Sequence, residues 1–336
     1  MHGGTLNRSF LKVLKKTGIT LSICLLSLCL LELTYRYQFI DFYANELTAL
    51  NPQPGDNKAT DMLVFGDSFT ALPSSYVALL NKQLPDVSLV NAAVSGTGIL
   101  ETQICFPDRF ESYQPKRILL QLYPANDLFD IDHPLNWYSM SVFRNLYYIA
   151  CDRFLVLRYL NYRAAQLWHT NSNPTTSNIE NSISNTAPYN ERVVNLLKAH
   201  PQLIRNSLYL DKSTSQAFEV MLTTLGQIIN EAEQHQVQVT LLLIPHCSQV
   251  SERYADKYRK MGAVLPDRIS SDMSYPFSTQ LQHHFRNNTS VRIIDPLNEM
   301  RSMENRGTAL YYNNDEHLNS TGQEWLANYL KQVLFR

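Results

Sequence analysis

Three strand-type runs in this chain end in the same way. Met62-Leu63-Val64-Phe65 breaks into Gly66-Asp67-Ser68, Val87–Val94 into Ser95-Gly96-Thr97-Gly98, and Arg117–Tyr123 into Pro124-Ala125-Asn126-Asp127. Apolar residues recur at helical spacing after the first two: Tyr76, Leu79, Leu80 and Leu84, then a stretch from about Ile99 to Tyr113. Near-continuous apolar strands joined by helical segments fold as parallel strands with crossover helices, in a sheet covered on both faces.

The rhythm pauses between residues 131 and about 215, where no strong strand is legible. Asn136 to about Trp168 reads as one or two helices, Thr170 to about Pro188 as an Asn/Ser/Thr-rich loop, and Tyr189 to Tyr209 as a further helical piece. This region is expected to be a helical insertion forming a cap or one wall of a cleft. The rhythm then resumes with a helix over Thr214–His235, a strand over Val237–Ile244, a shorter strand over Ser290–Asp295 and a helix from about Gln323 to Leu334. The expected fold is α/β: a three-layer α/β/α flavodoxin-like sandwich with a mainly parallel five-stranded sheet. Its functional groups belong at the carboxyl ends of the strands.

The amino end carries a different signal. Arg8, Lys12, Lys15 and Lys16 precede an uncharged run from Thr17 to Leu31, and Glu32 interrupts an apolar pattern that continues to Tyr35. A bilayer core takes roughly 17–25 helical residues. Residues 17–35 suffice if Lys16 snorkels at one end and Glu32 reaches the interface at the other. Leu-Glu-Leu-Thr-Tyr-Arg-Tyr follows the run, with no small-residue cleavage site, so an uncleaved anchor is expected rather than a signal peptide. The basic cluster places residues 1–16 in the cytoplasm. Residues 36–60 read as a tether, and 61–336 as one domain on the far side, periplasmic or extracellular.

Composition excludes other classes. The 336 residues are 44% hydrophobic and 18% charged with a formal net charge of -1, which gives no electrostatic footprint for nucleic acid. Of five cysteines, Cys24 and Cys29 lie in the apolar run. Cys105, Cys151 and Cys247 make no disulfide framework, although one bridge between Cys105 and Cys151 fits an oxidising compartment. No Cys/His spacing matches a metal site; adjacent His283 and His284 point apart on a helix, and His246-Cys247 reads as loop. No metal site is expected.

The strand ends and one late loop supply the parts of a nucleophilic acyl-transfer site. Ser68 stands on a glycine-assisted strand-to-helix turn as nucleophile. His317, in Asn313-Asn314-Asp315-Glu316-His317, is the base at the start of the last helix, and Asp315 orients its imidazole. The backbone N–H groups of Ser68 and Gly96 and the side-chain amide of Asn126 are the oxyanion donors, with Gly98 the competitor to Gly96. Asp127 reads as structural near the following cap, and Glu316 as solvated.

These blocks together, Gly66-Asp67-Ser68-Phe69, Gly96, Asn126-Asp127 and Asp315…His317-Leu318-Asn319…Gly322, resemble the SGNH (GDSL-type) hydrolase superfamily over residues 60–130 and 215–336. The resemblance implies esterase, lipase, deacetylase or thioesterase chemistry without a cofactor. Two departures stand out. Ala125 replaces the usual glycine before the asparagine. The acid lies two residues before His317 rather than three, with Asn314 in the usual place. That spacing is similar to the membrane-associated branch of alginate O-acetyltransferase-like periplasmic proteins, which transfer acyl groups on polysaccharides. The expected function is a membrane-anchored serine esterase acting on O-acyl groups of envelope carbohydrate or lipid, beside an envelope polysaccharide machinery. The alternatives are an O-acetyltransferase using the same residues and a non-catalytic polysaccharide-binding scaffold.

Overall fold

The computed structural model describes residues 8–36, 51, 59–132, 154, 156–157, 189, 191–269 and 273–335. Most of the expected insertion, including the aromatic stretch from Trp137 to Tyr162 and the polar loop at 170–188, lies outside the described residues, as does Cys151.

Five strands, β1 (Met62–Phe65), β2 (Leu89–Asn91), β3 (Arg117–Leu122), β4 (Gln238–Leu243) and β5 (Val291–Ile294), form one sheet in the order β2-β1-β3-β4-β5. Every neighbouring pair is parallel. This is the 2-1-3-4-5 order of flavodoxin-like doubly wound sheets. β2 is shorter than the eight residues read from the sequence. Its chain nevertheless continues along β1, with Ala92 N–H donating to Val64 O at 2.8 Å and Val94 N–H to Gly66 O at 3.0 Å.

Alternation along each strand builds two cores. Met62, Val64, Leu119, Leu242 and Ile294 face one buried cluster; Leu63, Phe65, Ile118, Leu120, Leu241 and Leu243 face the other. The first face is covered by residues of helices Tyr76–Gln83, Glu252–Lys260, Leu297–Asn305 and Ser320–Leu334, the second by those of Ile99–Tyr113, Ser215–Gln234 and Pro276–Phe285. Each fully buried leucine-sized side chain stabilises this arrangement by about 1.5–3 kcal/mol.

Several boundaries differ from the sequence reading. The last helix starts at Ser320 because Asn319 caps it, its Oδ1 accepting Gly322 N–H at 2.9 Å, so His317 lies in the loop before it. His246 and Cys247 do not sit in an open loop. His246 caps a short helix, Cys247–Val250, and both residues are fully buried. Within the insertion, helices Glu191–Ala199 and Leu203–Tyr209 flank Pro201, and the second packs against Asp127–Asp132 and Pro276–Phe285.

The amino-terminal helix runs from Arg8 to Arg36, and its segment Lys12–Thr34 is long and apolar enough to cross a membrane. At 1.5 Å per residue these 23 residues reach about 35 Å. The leucines from Leu14 to Leu33 are exposed rather than packed on the domain. Glu32, the charge within the apolar pattern, accepts Val156 N–H at 2.9 Å.

Candidate active site

The turn after β1 is shaped by what packs against it. A Cβ on Gly66 would lie 2.4 Å from Gln121 Oε1 and 2.8 Å from Thr70 Oγ1, so this position takes glycine because the β3 side chain occupies the space. Gln121 is buried in an otherwise apolar strand, and its Oε1 accepts Asp67 N–H and the Thr70 hydroxyl, each at 3.0 Å. Those bonds satisfy the carboxamide oxygen and pin the turn, while Gln121 Nε2 is buried without a partner among the described residues. Asp67 caps the short helix Ser68–Ala71, its Oδ1 accepting Phe69 N–H at 2.9 Å. Burial pushes the Asp67 carboxyl up to about 6. Gln121 was missed from the sequence; the available signal was one polar residue inside Ile118-Leu119-Leu120-Gln121-Leu122.

The catalytic loop is held by its ends. Tyr311 and Leu318 form an isolated antiparallel bridge, with Tyr312 N–H donating to His317 O at 3.1 Å and Asn319 N–H to Leu310 O at 2.9 Å. Asn319 Nδ2 donates to Ala309 O at 2.9 Å and to Tyr311 O at 3.0 Å. Tyr311 Oη donates to Pro245 O at 2.5 Å, tying the loop to the end of β4. Lys257 Nζ donates to Asn313 O at 3.1 Å and to Asn313 Oδ1 at 2.8 Å. A Cβ on Gly322 would meet Leu310 O at 2.1 Å, so the final helix approaches this loop closely enough to require glycine.

These two constructions bring Ser68 Oγ within 2.7 Å of His317 Nε2. On the other side of the ring, Asp315 Oδ1 accepts from His317 Nδ1 and also takes His317 N–H at 2.9 Å. Asp315, rather than Asn314, is therefore the residue that fixes the imidazole. The ring of Phe69 lies 4.6 Å from that of His317 and 4.4 Å from that of Tyr123.

Electrostatics follow from burial and pairing. Burial pushes the Asp315 carboxyl upward, but the bonds from His317 outweigh it and hold the group below its ordinary value. Burial disfavours the His317 cation, yet the adjacent Asp315 carboxylate, with Glu316 and Asp67, raises it to about 9. Glu316 is not solvated as the sequence reading had it. It is half-buried, accepts the Tyr123 hydroxyl at 3.3 Å, and is pushed up to about 7 chiefly by burial. Asp127 Oδ2 accepts Tyr123 N–H at 2.7 Å, a structural role, and burial pushes its carboxyl well up.

The proposed oxyanion residues follow adjacent parallel strands, Ser68 after β1, Gly96 after β2 and Asn126 after β3. Gly96 has φ +77°, a conformation glycine adopts without strain, whereas Gly98 is extended and caps the next helix. Asn126 Oδ1 is buried without a hydrogen-bond partner among the described residues. No cluster of three or more His, Cys, Asp or Glu residues suited to a metal occurs among the described residues.

Ser68, His317 and Asp315 thus form a triad whose geometry is that of a serine hydrolase and supports ester-hydrolysing activity. No family model and no curated protein sequence matches the chain. Among solved structures, an acetyl xylan esterase covers 81% of this chain over 99% of its own at 12% identity and TM-score 0.41. The psychrotrophic esterase EstA from Pseudoalteromonas sp. covers 84% over 100% at 14% identity and TM-score 0.39. A putative platelet activating factor from Streptococcus pneumonia covers 94% over 99% at 12% identity and TM-score 0.42. At these TM-scores the likenesses establish neither family nor activity.

Proposed function

We propose that the chain is a membrane-anchored serine esterase of SGNH type, facing the periplasm or exterior, that removes O-acyl groups from envelope carbohydrate or lipid. The observation that carries the chemistry is the 2.7 Å Ser68 Oγ–His317 Nε2 contact with Asp315 on the opposite ring nitrogen. In this reading Ser68 Oγ attacks the ester carbonyl carbon while His317 Nε2 takes its proton. The oxyanion is met by Ser68 N–H, Gly96 N–H and the Asn126 amide. Collapse breaks the bond to the alcohol oxygen, which takes the proton from His317. Water then repeats the sequence on the acyl-serine, releasing the carboxylic acid and restoring Ser68. A polysaccharide hydroxyl in place of water makes the same site an O-acetyltransferase.

The reading of the anchor rests on the exposed apolar helix and the lysines before it. The chemistry is tested by p-nitrophenyl acetate turnover of the full chain in detergent against Ser68→Ala; equal turnover by the two refutes the enzyme. The topology is tested by a reporter fused at the carboxyl end. Activity confined to a cytoplasm-specific reporter refutes an outward-facing domain.

A further inference from the structure

Outside the amino-terminal helix, three large hydrophobic side chains are exposed among the described residues: Phe154, Val220 and Val264. Phe154 is the aromatic one and, at 52%, the most exposed. Its backbone is tied to the helix that carries the apolar run. Leu157 N–H donates to Phe154 O at 3.0 Å, and between them Val156 N–H donates to Glu32 Oε2 at 2.9 Å. One turn of the insertion is thereby fastened to the acid that interrupts the apolar pattern.

The depth of that bond follows from the helix. Glu32 stands two residues, about 3 Å of rise, from the carboxyl end of the Lys12–Thr34 span. The headgroup layer beyond the hydrocarbon is about 5–8 Å deep on each side. With the lysines at the opposite end, whatever is bonded to Glu32 lies at the outer border of hydrocarbon and headgroups. The bond suits that border from both sides. Lipid offers no acceptor to a backbone N–H, and a carboxylate in an apolar span is costly without a partner. Val156 N–H and Glu32 meet each other's need. Phenylalanine side chains of peripheral segments bury at the same depth.

We propose that the insertion makes a second contact with the bilayer: Glu32 latches the turn that holds Phe154, Val156 and Leu157 to the outer end of the anchor, and the Phe154 ring enters the lipid surface beside it. The inference rests on the anchor reading above and not on the chemistry at Ser68. The catalytic domain is then held against the membrane at two points, rather than swinging on residues 36–60 as a free tether, and it meets esters presented at the membrane surface.

The test places single tryptophans in the full chain, reconstituted in phosphatidylcholine nanodiscs. Emission is read as the difference from wild type, because the chain carries three tryptophans of its own. Phe154→Trp is expected to be quenched by brominated phosphatidylcholine and protected from aqueous iodide. Leu25→Trp, in the middle of the apolar run, reports the anchor alone. Adding Glu32→Leu removes the acceptor while leaving the anchor apolar. In that double variant the lipid quenching of Phe154→Trp is expected to fall and iodide quenching to rise, with Leu25→Trp unaffected by the same change. If Leu25→Trp is quenched by lipid and Phe154→Trp is not, the second contact is overturned and the anchor stands. If neither is quenched by lipid, both readings fall. Lipid quenching of Phe154→Trp that Glu32→Leu leaves unchanged overturns the latch.

Discussion

The Gln121 side-chain oxygen, on the central strand β3, accepts the backbone N–H of Asp67 at 3.0 Å. One carboxamide thereby fixes the residue before the nucleophile, and the glycine at 66 leaves it room. Gly66→Ala places a methyl group 2.4 Å from that oxygen. The carboxamide must rotate away, releasing Asp67 N–H and the Thr70 hydroxyl. The expected outcome is a folded protein destabilised by about 1–3 kcal/mol, with kcat reduced more than KM is changed. Thermal unfolding and steady-state kinetics check it; an unchanged kcat would show that the turn does not depend on Gln121.

Gly322→Ala is a different kind of insult. Its new Cβ meets a backbone carbonyl, Leu310 O, at 2.1 Å, so the final helix and the bridged loop must separate. Loss of activity should accompany a drop in thermal midpoint, because the base and its acid move with that loop. Full stability with full activity would contradict the close approach.

Asp315→Asn removes the acceptor that fixes His317 and should cost on the order of 1000-fold or more in kcat/KM. Asn314→Asp, one residue away, should leave activity within a few-fold and should not rescue Asp315→Asn in the double variant. Rescue would mean that the loop re-registers to the commoner spacing of acid and base.

Asn126→Ala tests the proposed oxyanion donor. A loss of about 100- to 1000-fold in kcat is expected, with little change in thermal midpoint because Asn126 Oδ1 has no partner to lose among the described residues. Wild-type kcat would remove Asn126 from the site.

The charge state of His317 sets the pH dependence. With the imidazole raised to about 9, most of the resting enzyme at neutral pH holds the base protonated. Activity must rise with pH until that proton is lost, and the maximum is expected near or above pH 9. A maximum at pH 6–7 would mean that the carboxylates do not hold the cation. Stability runs the other way. A group raised from 6.5 to about 9 contributes fully below 6.5 and loses its contribution as pH climbs through 9. Thermal midpoints between pH 7 and 10 check that sign.

The sheet was legible because its strands are short apolar runs with abrupt ends. Arg117–Leu122 and Met62–Phe65 are set by local pattern, and the helix Ile99–Tyr113 matches its expected bounds. The nucleophile and base were legible because each stands at a strand end or loop where chemistry needs it. Less legible was everything defined by long-range packing. Gln121 reads as a flaw in a strand until Asp67 is seen against it. Glu316 reads as a surface acid until the Tyr123 hydroxyl, 193 residues away in sequence, is found on it. The helices Cys247–Val250, Glu252–Lys260 and Pro276–Phe285 were not assigned, since they are short and their apolar residues sparse.

Ser68 and His317 are 249 residues apart in the chain. A ribosome releases the serine long before the histidine. Until the closing helix docks against the Leu310 carbonyl and Gln323 receives Tyr76 N–H at 2.8 Å, the serine is an ordinary alcohol. Reactivity is thus conferred only once helix Ser320–Leu334 has followed the histidine, and a chain truncated before that helix is expected to be silent toward acyl esters.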